Sequence, residues 1–167
     1  GVIFPHVQNA DEAKAFSTAC RFPPVGTRSL NYGGPQLEYE NLPASEVMEG
    51  INAETLIVMM IETPEAVDNA ADIAAVSGVD VLLVGGSDLS ATMGIPGQFN
   101  NPDFIDAVGK VVDAAVAASK WPGLGGIYDE SILPRFVKRG MRFFLGGSDI
   151  SFILDGGRSR GAFFNNL

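Results

Sequence analysis

Cysteine and histidine are nearly absent from this chain, with Cys20 and His6 the single representative of each. A lone cysteine excludes a disulfide framework and a cysteine-based zinc site. Basic residues are scarce too: 11 stand against 20 acidic ones, for a net charge of -9. Nucleic acids and membrane surfaces are both anionic, so that balance argues against a general binder of either. No apolar run approaches the ~18 residues that a membrane span needs. No basic stretch followed by an apolar one marks a secretory signal. Charged residues make up only 19% of the chain and apolar ones 46%, which is the reverse of a disordered composition. At 167 residues the length suits one domain. A soluble, cytoplasmic α/β domain is the expectation. The chain starts at Gly1 rather than Met, and Val2-Ile3-Phe4 is apolar with no preceding turn. It therefore reads as entering an ordered fold part-way, as a fragment or a processed product.

Strand-like and helix-like segments alternate. Residues 1–7 form an apolar run and read as a strand. Asn9 is placed to cap a helix with Ala13, Phe16 and Cys20 on its apolar stripe. Residues 22–34, rich in Pro and Gly, read as loop. Pro43 suits the first turn of a short helix through Ile51. Residues 56–61 are the second strand, and Thr63-Pro64-Glu65 opens a helix with cap, proline and acid in order. Residues 79–84 are the third strand, followed by a short helix from Ser87-Asp88 to Met93. Asn101-Pro102-Asp103 repeats the cap signal ahead of a helix bearing Phe104, Val108, Val111 and Ala115. Residues 123–127 form a glycine-rich fourth strand. Asp129 is placed to cap the next helix, and Gly140 to stop it. Residues 141–145 are the fifth strand. Gly146-Gly147-Ser148-Asp149 starts a last helix that Gly156-Gly157 weakens or ends.

Five mostly apolar strands with helices between them belong in a parallel sheet. An open doubly wound sheet and five units of a (β/α)8 TIM barrel both fit. An internal repeat favours the barrel: Val84-Gly85-Gly86-Ser87-Asp88-Leu89-Ser90 recurs, two units on, as Leu145-Gly146-Gly147-Ser148-Asp149-Ile150-Ser151. In either architecture chemistry gathers at the C-terminal ends of the strands. Gln8, Glu62, Ser87, Asp88, Tyr128, Ser148 and Asp149 collect there.

Glu62 directly follows the second strand, and Asp88 follows the third after a Gly-Gly-Ser turn. Neighbouring strands lie ~5 Å apart, so these carboxylates can converge on one ion. Two carboxylates with room for water and substrate oxygens suit a hard divalent cation, Mg²⁺ or Mn²⁺. The glycines let backbone N–H groups approach an anion closely. The plainer alternative is that Asp88 caps its helix and Glu62 is a solvated strand-end charge.

Ile61-Glu62-Thr63-Pro64-Glu65-Ala66, Gly78-Val79-Asp80-Val81 and Gly85-Gly86-Ser87-Asp88-Leu89-Ser90 together resemble the metal-dependent class II pyruvate aldolases. These belong to the phosphoenolpyruvate/pyruvate barrel superfamily, which includes macrophomate synthase. Val7-Gln8-Asn9-Ala10-Asp11-Glu12-Ala13 and Pro23-Pro24-Val25-Gly26-Thr27-Arg28 extend the likeness over nearly the whole chain. The resemblance implies a (β/α)8 TIM barrel of which residues 1–167 are the C-terminal part, its last five βα units. It implies a carbon–carbon lyase that cleaves a 4-hydroxy-2-oxo acid to pyruvate and an aldehyde through a metal-stabilised pyruvate enolate. Glu62 and Asp88 match the metal ligands, and Gly86, Ser87 and Asp88 the residues that hold the pyruvate carboxylate. The general base and the enolate-facing arginine fall before Gly1.

The chain departs from that pattern at Met60, where the family often has Gln, and at Ser29, where Gly is common. The loop 30–39 also diverges from the bacterial aldolases. His6 is a candidate substitute base, against a packed or hydrogen-bonded role. Arg28 is read as a loop salt bridge, Asp149 as a helix cap and Cys20 as core. The aromatic tail Phe152, Phe163 and Phe164 is a packing surface, which the resemblance makes a homo-oligomer contact. Three alternatives to the aldolase remain: an oxaloacetate decarboxylase resembling macrophomate synthase, a non-catalytic half-barrel binding module, and an open five-stranded receiver-like or cofactor-binding domain. Against the last, no dinucleotide fingerprint follows the first strand.

Overall fold

The computed structural model describes residues 1–31 and 34–167. Tyr32 and Gly33, which fall in the expected loops 22–34 and 30–39, lie outside the described residues. Five strands, β1 (Val2–Phe4), β2 (Ile57–Ile61), β3 (Val81–Gly85), β4 (Trp121–Gly125) and β5 (Phe143–Phe144), form one sheet in the order β1-β2-β3-β4-β5. Every neighbouring pair is parallel. Doubly wound sheets reverse strand order at a switch point, and none occurs here. An unreversed parallel order, with crossovers of one hand, puts the helices on one face, as in an arc of a barrel. That decides between the two architectures open to the sequence.

The helices are α1 (Ala10–Cys20), α2 (Ala44–Glu54), α3 (Pro64–Asp68), α4 (Ala70–Ala75), α5 (Gly86–Thr92), α6 (Pro102–Ala117), α7 (Leu133–Arg139) and α8 (Asp149–Asn165). Strand residues alternate between two faces. Ile57, Met59, Ile61, Leu82, Val84 and Leu124 enter the main core, where the buried faces of α1, α3, α4 and α6 meet them. Val58, Val81 and Leu83 form a smaller cluster on the other, concave face, joined by the half-buried Met60, Phe143 and Leu145.

Most expected caps are present. Asn9 Oδ1 accepts from the Glu12 N–H at 3.0 Å, and Asn101 Oδ1 from the Asp103 N–H at 3.0 Å. Gly140 ends α7 at φ +117°. Several boundaries differ. β1 stops at Phe4 rather than running through residue 7, because Pro5 has no N–H for the ladder and His6 turns left-handed at φ +56°. α8 continues through Gly156-Gly157 to Asn165. Its cap is Ser148, in a reciprocal pair with Ser151, so Asp149 is not the cap. Asp129 accepts from the Ser131 N–H and hydroxyl just ahead of α7, whose N-cap is Ile132. Those two bonds hold the exposed Asp129 carboxyl below its ordinary range. Arg28 makes no ion pair among the described residues and instead stacks over the Phe22 ring at 4.7 Å. Cys20 is half-buried against the core, as expected. No helix among the described residues is long and apolar enough to cross a membrane.

Candidate active site

Glu62 is the first residue after β2, and Asp88 lies in the first turn of α5, which starts directly from β3. The two therefore stand on adjacent strand ends. Both line one pocket of about 130 Å³, together with Met60, Gly85, Ser87, Gly125, Gly126 and Leu145. Glu62 is 3% exposed, while Asp88 and Ser87 are open to solvent. The N-cap of α5 is Gly85, with no side-chain cap bond, so Asp88 does not cap its helix. Nor is Glu62 a solvated charge. The structure removes both plain readings of these residues.

Burying a carboxylate is costly unless it is paired. Glu62 Oε2 accepts from the His6 N–H at 2.8 Å, and His6 Nδ1 lies 3.0 Å from the same oxygen. Oε1 has no hydrogen-bond partner among the described residues. The left-handed turn at His6 aims its N–H at the carboxylate, and strain of this kind in a non-glycine residue gathers at functional sites. The imidazole stays 72% exposed. His6 does not sit in the strand expected over residues 1–7; it braces Glu62 from the turn beyond β1.

Gly85 lets Glu62 lie where it does. A Cβ built there would stand 2.6 Å from Glu62 Cγ and 2.6 Å from Oε1. Thr92 Oγ1 is 2.9 Å from the Glu62 carbonyl oxygen and 2.9 Å from that of Asp88, tying the two segments. The Ser87 hydroxyl donates to the Gly126 carbonyl at 3.1 Å, joining the ends of β3 and β4. The first-turn N–H groups of α5, including those of Ser87 and Asp88, have no intrahelical partner by construction.

This donor set fits a hard divalent cation. One buried carboxylate, with an oxygen left over from the His6 contacts, and a second, exposed carboxylate share a pocket that no Lys or Arg lines. Among the described residues no group of three or more His, Cys, Asp or Glu could hold a metal. Water and substrate oxygens would have to complete the shell, as is usual for Mg²⁺.

The other polar residues read to the strand ends take no part in the pocket. Gln8 is spent on local clamps to Thr63 and Asn69. Ser148 and Asp149 serve the start of α8, and Tyr128 is exposed outside the lining. Sequence reasoning missed Leu145 as a wall of the pocket, Thr92 as a tie and Gly125 as a gap. The Gly-Leu-Gly-Gly run of the fourth strand was the available signal for the gap.

The chain resembles known proteins over nearly all of its length. Residues 1–155 match the HpcH/HpaI aldolase/citrate lyase family. A 4-hydroxy-4-methyl-2-oxoglutarate aldolase of Chaetomium globosum is 42% identical over 130 residues, which are 77% of this chain and 48% of that one. A 4-hydroxy-2-oxo-heptane-1,7-dioate aldolase of Salmonella typhimurium is 32% identical over 164 residues, 98% of this chain and 61% of its own. The crystal structure of an HpcH/HpaI aldolase from Desulfitobacterium hafniense superposes with a TM-score of 0.87 at 27% identity, covering 99% of this chain and 63% of the other. This chain thus spans about half to three-fifths of the length of these relatives. With a family match that runs from β1 into α8 and a sheet order that agrees with it, the chain belongs to the HpcH/HpaI aldolase/citrate lyase family.

Proposed function

We propose that this chain carries the metal- and carboxylate-binding part of a class II aldolase that cleaves a 4-hydroxy-2-oxo acid to pyruvate and an aldehyde. The observation that carries the reading is the buried carboxylate of Glu62 in one pocket with Asp88. A divalent cation held there, Mg²⁺ or Mn²⁺, would supply Lewis-acid polarisation of the 2-oxo group. Glu62 and Asp88 would hold it. Gly86, Ser87 and Asp88 orient the substrate carboxylate through first-turn N–H groups. His6 keeps Glu62 in place through its N–H. In the cleavage, the 4-hydroxyl gives up its proton and the C3–C4 bond breaks. The aldehyde departs, and C3 is reprotonated to give pyruvate. With both carboxylates holding the cation, neither would be free to take the 4-hydroxyl proton.

The same reading includes a homo-oligomer in the cytoplasm. α8 buries none of its residues against this chain and exposes Ile150, Phe152, Ile153, Phe163 and Phe164.

The test is metal binding. A ligand that binds only the native state raises the melting temperature by mass action. Millimolar Mg²⁺ or Mn²⁺ should do so for this chain, and Glu62→Gln with Asp88→Asn should abolish the rise. An equal rise in the double variant would sink the assignment.

A further inference from the structure

We infer that Leu145 sets the size of the 2-oxo acid this site accepts, by closing the slot opposite Glu62. The inference rests on the proposed function and goes beyond it, to the choice of donor.

The strand register sets which residues share a layer on the concave face. Ile61 pairs with Val84, which puts Glu62 level with Gly85. Gly85 pairs with Gly125, and Leu124 with Phe144, which puts Gly125 level with Leu145. From β2 to β5 this layer therefore holds only two side chains, with two glycines between them. Neither side chain stays over its own strand. The Glu62 carboxylate covers Gly85, where an added Cβ would meet it at 2.6 Å. Leu145 leans the other way over Gly125, where an added Cβ would meet Leu145 Cδ1 at 2.8 Å. The space the two glycines leave is the pocket of about 130 Å³ that Glu62, Met60 and Leu145 line, which is room for a small acid and little more.

The two walls differ in polarity. One carries Glu62 and Asp88; the other is the isobutyl group of Leu145. Met60, one layer below and level with Leu83, adds an apolar floor. A 2-oxo acid has its oxygens on C1 and C2 and only carbon at C3. With its oxygens drawn to the cation that the carboxylate wall would hold, C3 is left to the leucine wall. Pyruvate puts a methyl there. One more methylene at C3 meets Leu145, and a methylene misfit in a tight pocket is worth ~10–200-fold in discrimination. A carboxylate on C3, as in oxaloacetate, would face two apolar side chains and be disfavoured as well.

Calorimetry of the Mn²⁺-loaded chain with pyruvate and with 2-oxobutanoate tests this by binding alone. The unmodified chain should prefer pyruvate by ~10-fold or more, and Leu145→Ala should narrow that to within ~3-fold by tightening 2-oxobutanoate. Mn²⁺ affinity should be unchanged, since Leu145 offers no oxygen or nitrogen to a cation. Leu145→Val, a milder cut in the same strand, should fall between and serves if the alanine variant does not fold. If Mn²⁺ and pyruvate bind normally and neither variant moves the ratio, the slot inference is overturned while the metal site stands. If the unmodified chain binds no Mn²⁺, the proposed function falls and takes the slot with it.

Discussion

The glycine at position 85 offers a sharp probe of the site, because its backbone tolerates a side chain and its surroundings do not. Gly85 sits at φ -84° and ψ 87°, so alanine adds no left-handed strain. The new Cβ would stand 2.6 Å from both Cγ and Oε1 of Glu62. Ordinary contact begins at 3.4 Å, so something must retreat by about 0.8 Å. The strand backbone is fixed by pairing on both sides, at Val84 with Ile61 and at Gly85 with Gly125. Glu62 must move, and it is held by the His6 N–H at 2.8 Å. Overpacking of this kind costs ~1–3 kcal/mol of stability, and a positional error near 1 Å in a reacting or binding group can cost ~10²-fold. Gly85→Ala should therefore lower the midpoint of urea unfolding modestly. It should weaken Mn²⁺ binding far more than that loss of stability alone predicts. The assay is Mn²⁺ calorimetry below the melting transition, with Gly50→Ala as control. Gly50 has nothing within 4 Å of its added Cβ. Wild-type Mn²⁺ affinity in a folded Gly85→Ala chain would refute the claim that Glu62 is a ligand held by this packing.

Gly50→Ala itself, in the middle of α2, should stabilise the chain by ~0.5–1 kcal/mol in denaturant unfolding, from helix propensity alone. Arg21 donates to the carbonyls of Asn52 and Gly78 and pairs with Asp80 at 3.4 Å. Arg21→Met removes those bonds, leaving Asp80 only the Ile57 N–H at 2.8 Å, and should cost ~1.5–3 kcal/mol, with Mn²⁺ affinity unchanged by calorimetry. The Asp129 carboxyl is held below its ordinary value of 3.8 by the Ser131 hydroxyl and N–H. A depressed folded pKa favours the native state above the unfolded value, and that contribution is lost as pH falls through the folded one. An NMR titration should show Asp129 moving up toward 3.8 in Ser131→Ala, and no movement would reject the assigned cause. Sedimentation at micromolar concentration should show self-association that Phe152→Asp with Phe163→Asp reduces; a stable monomer counts against the oligomer surface on α8.

Local chemistry made much of this protein legible from the sequence. Asn9, Thr63 and Asn101 mark helix starts because a short polar side chain can take an orphan N–H. The apolar runs mark buried strands because both faces of the sheet are covered. The Glu62 and Asp88 pair was legible because strand ends of a parallel sheet are where side chains of different units meet. The family resemblance sharpened that pair without changing it. Other features depend on contacts between residues far apart in the chain, and only the tertiary structure decided them. Whether five units make a doubly wound sheet or an arc of a barrel rests on strand order, which periodicity does not encode. His6 reads in the sequence as a strand residue, yet its partner lies 56 positions away and draws it into a left-handed turn. Gly156-Gly157 reads as a helix end, yet α8 runs on to Asn165. Glycine lowers helix propensity without forbidding the conformation. Leu145 was one more apolar residue in a strand. It becomes a wall of the site only because the register sets it beside Gly125, where a missing Cβ lets it lean across.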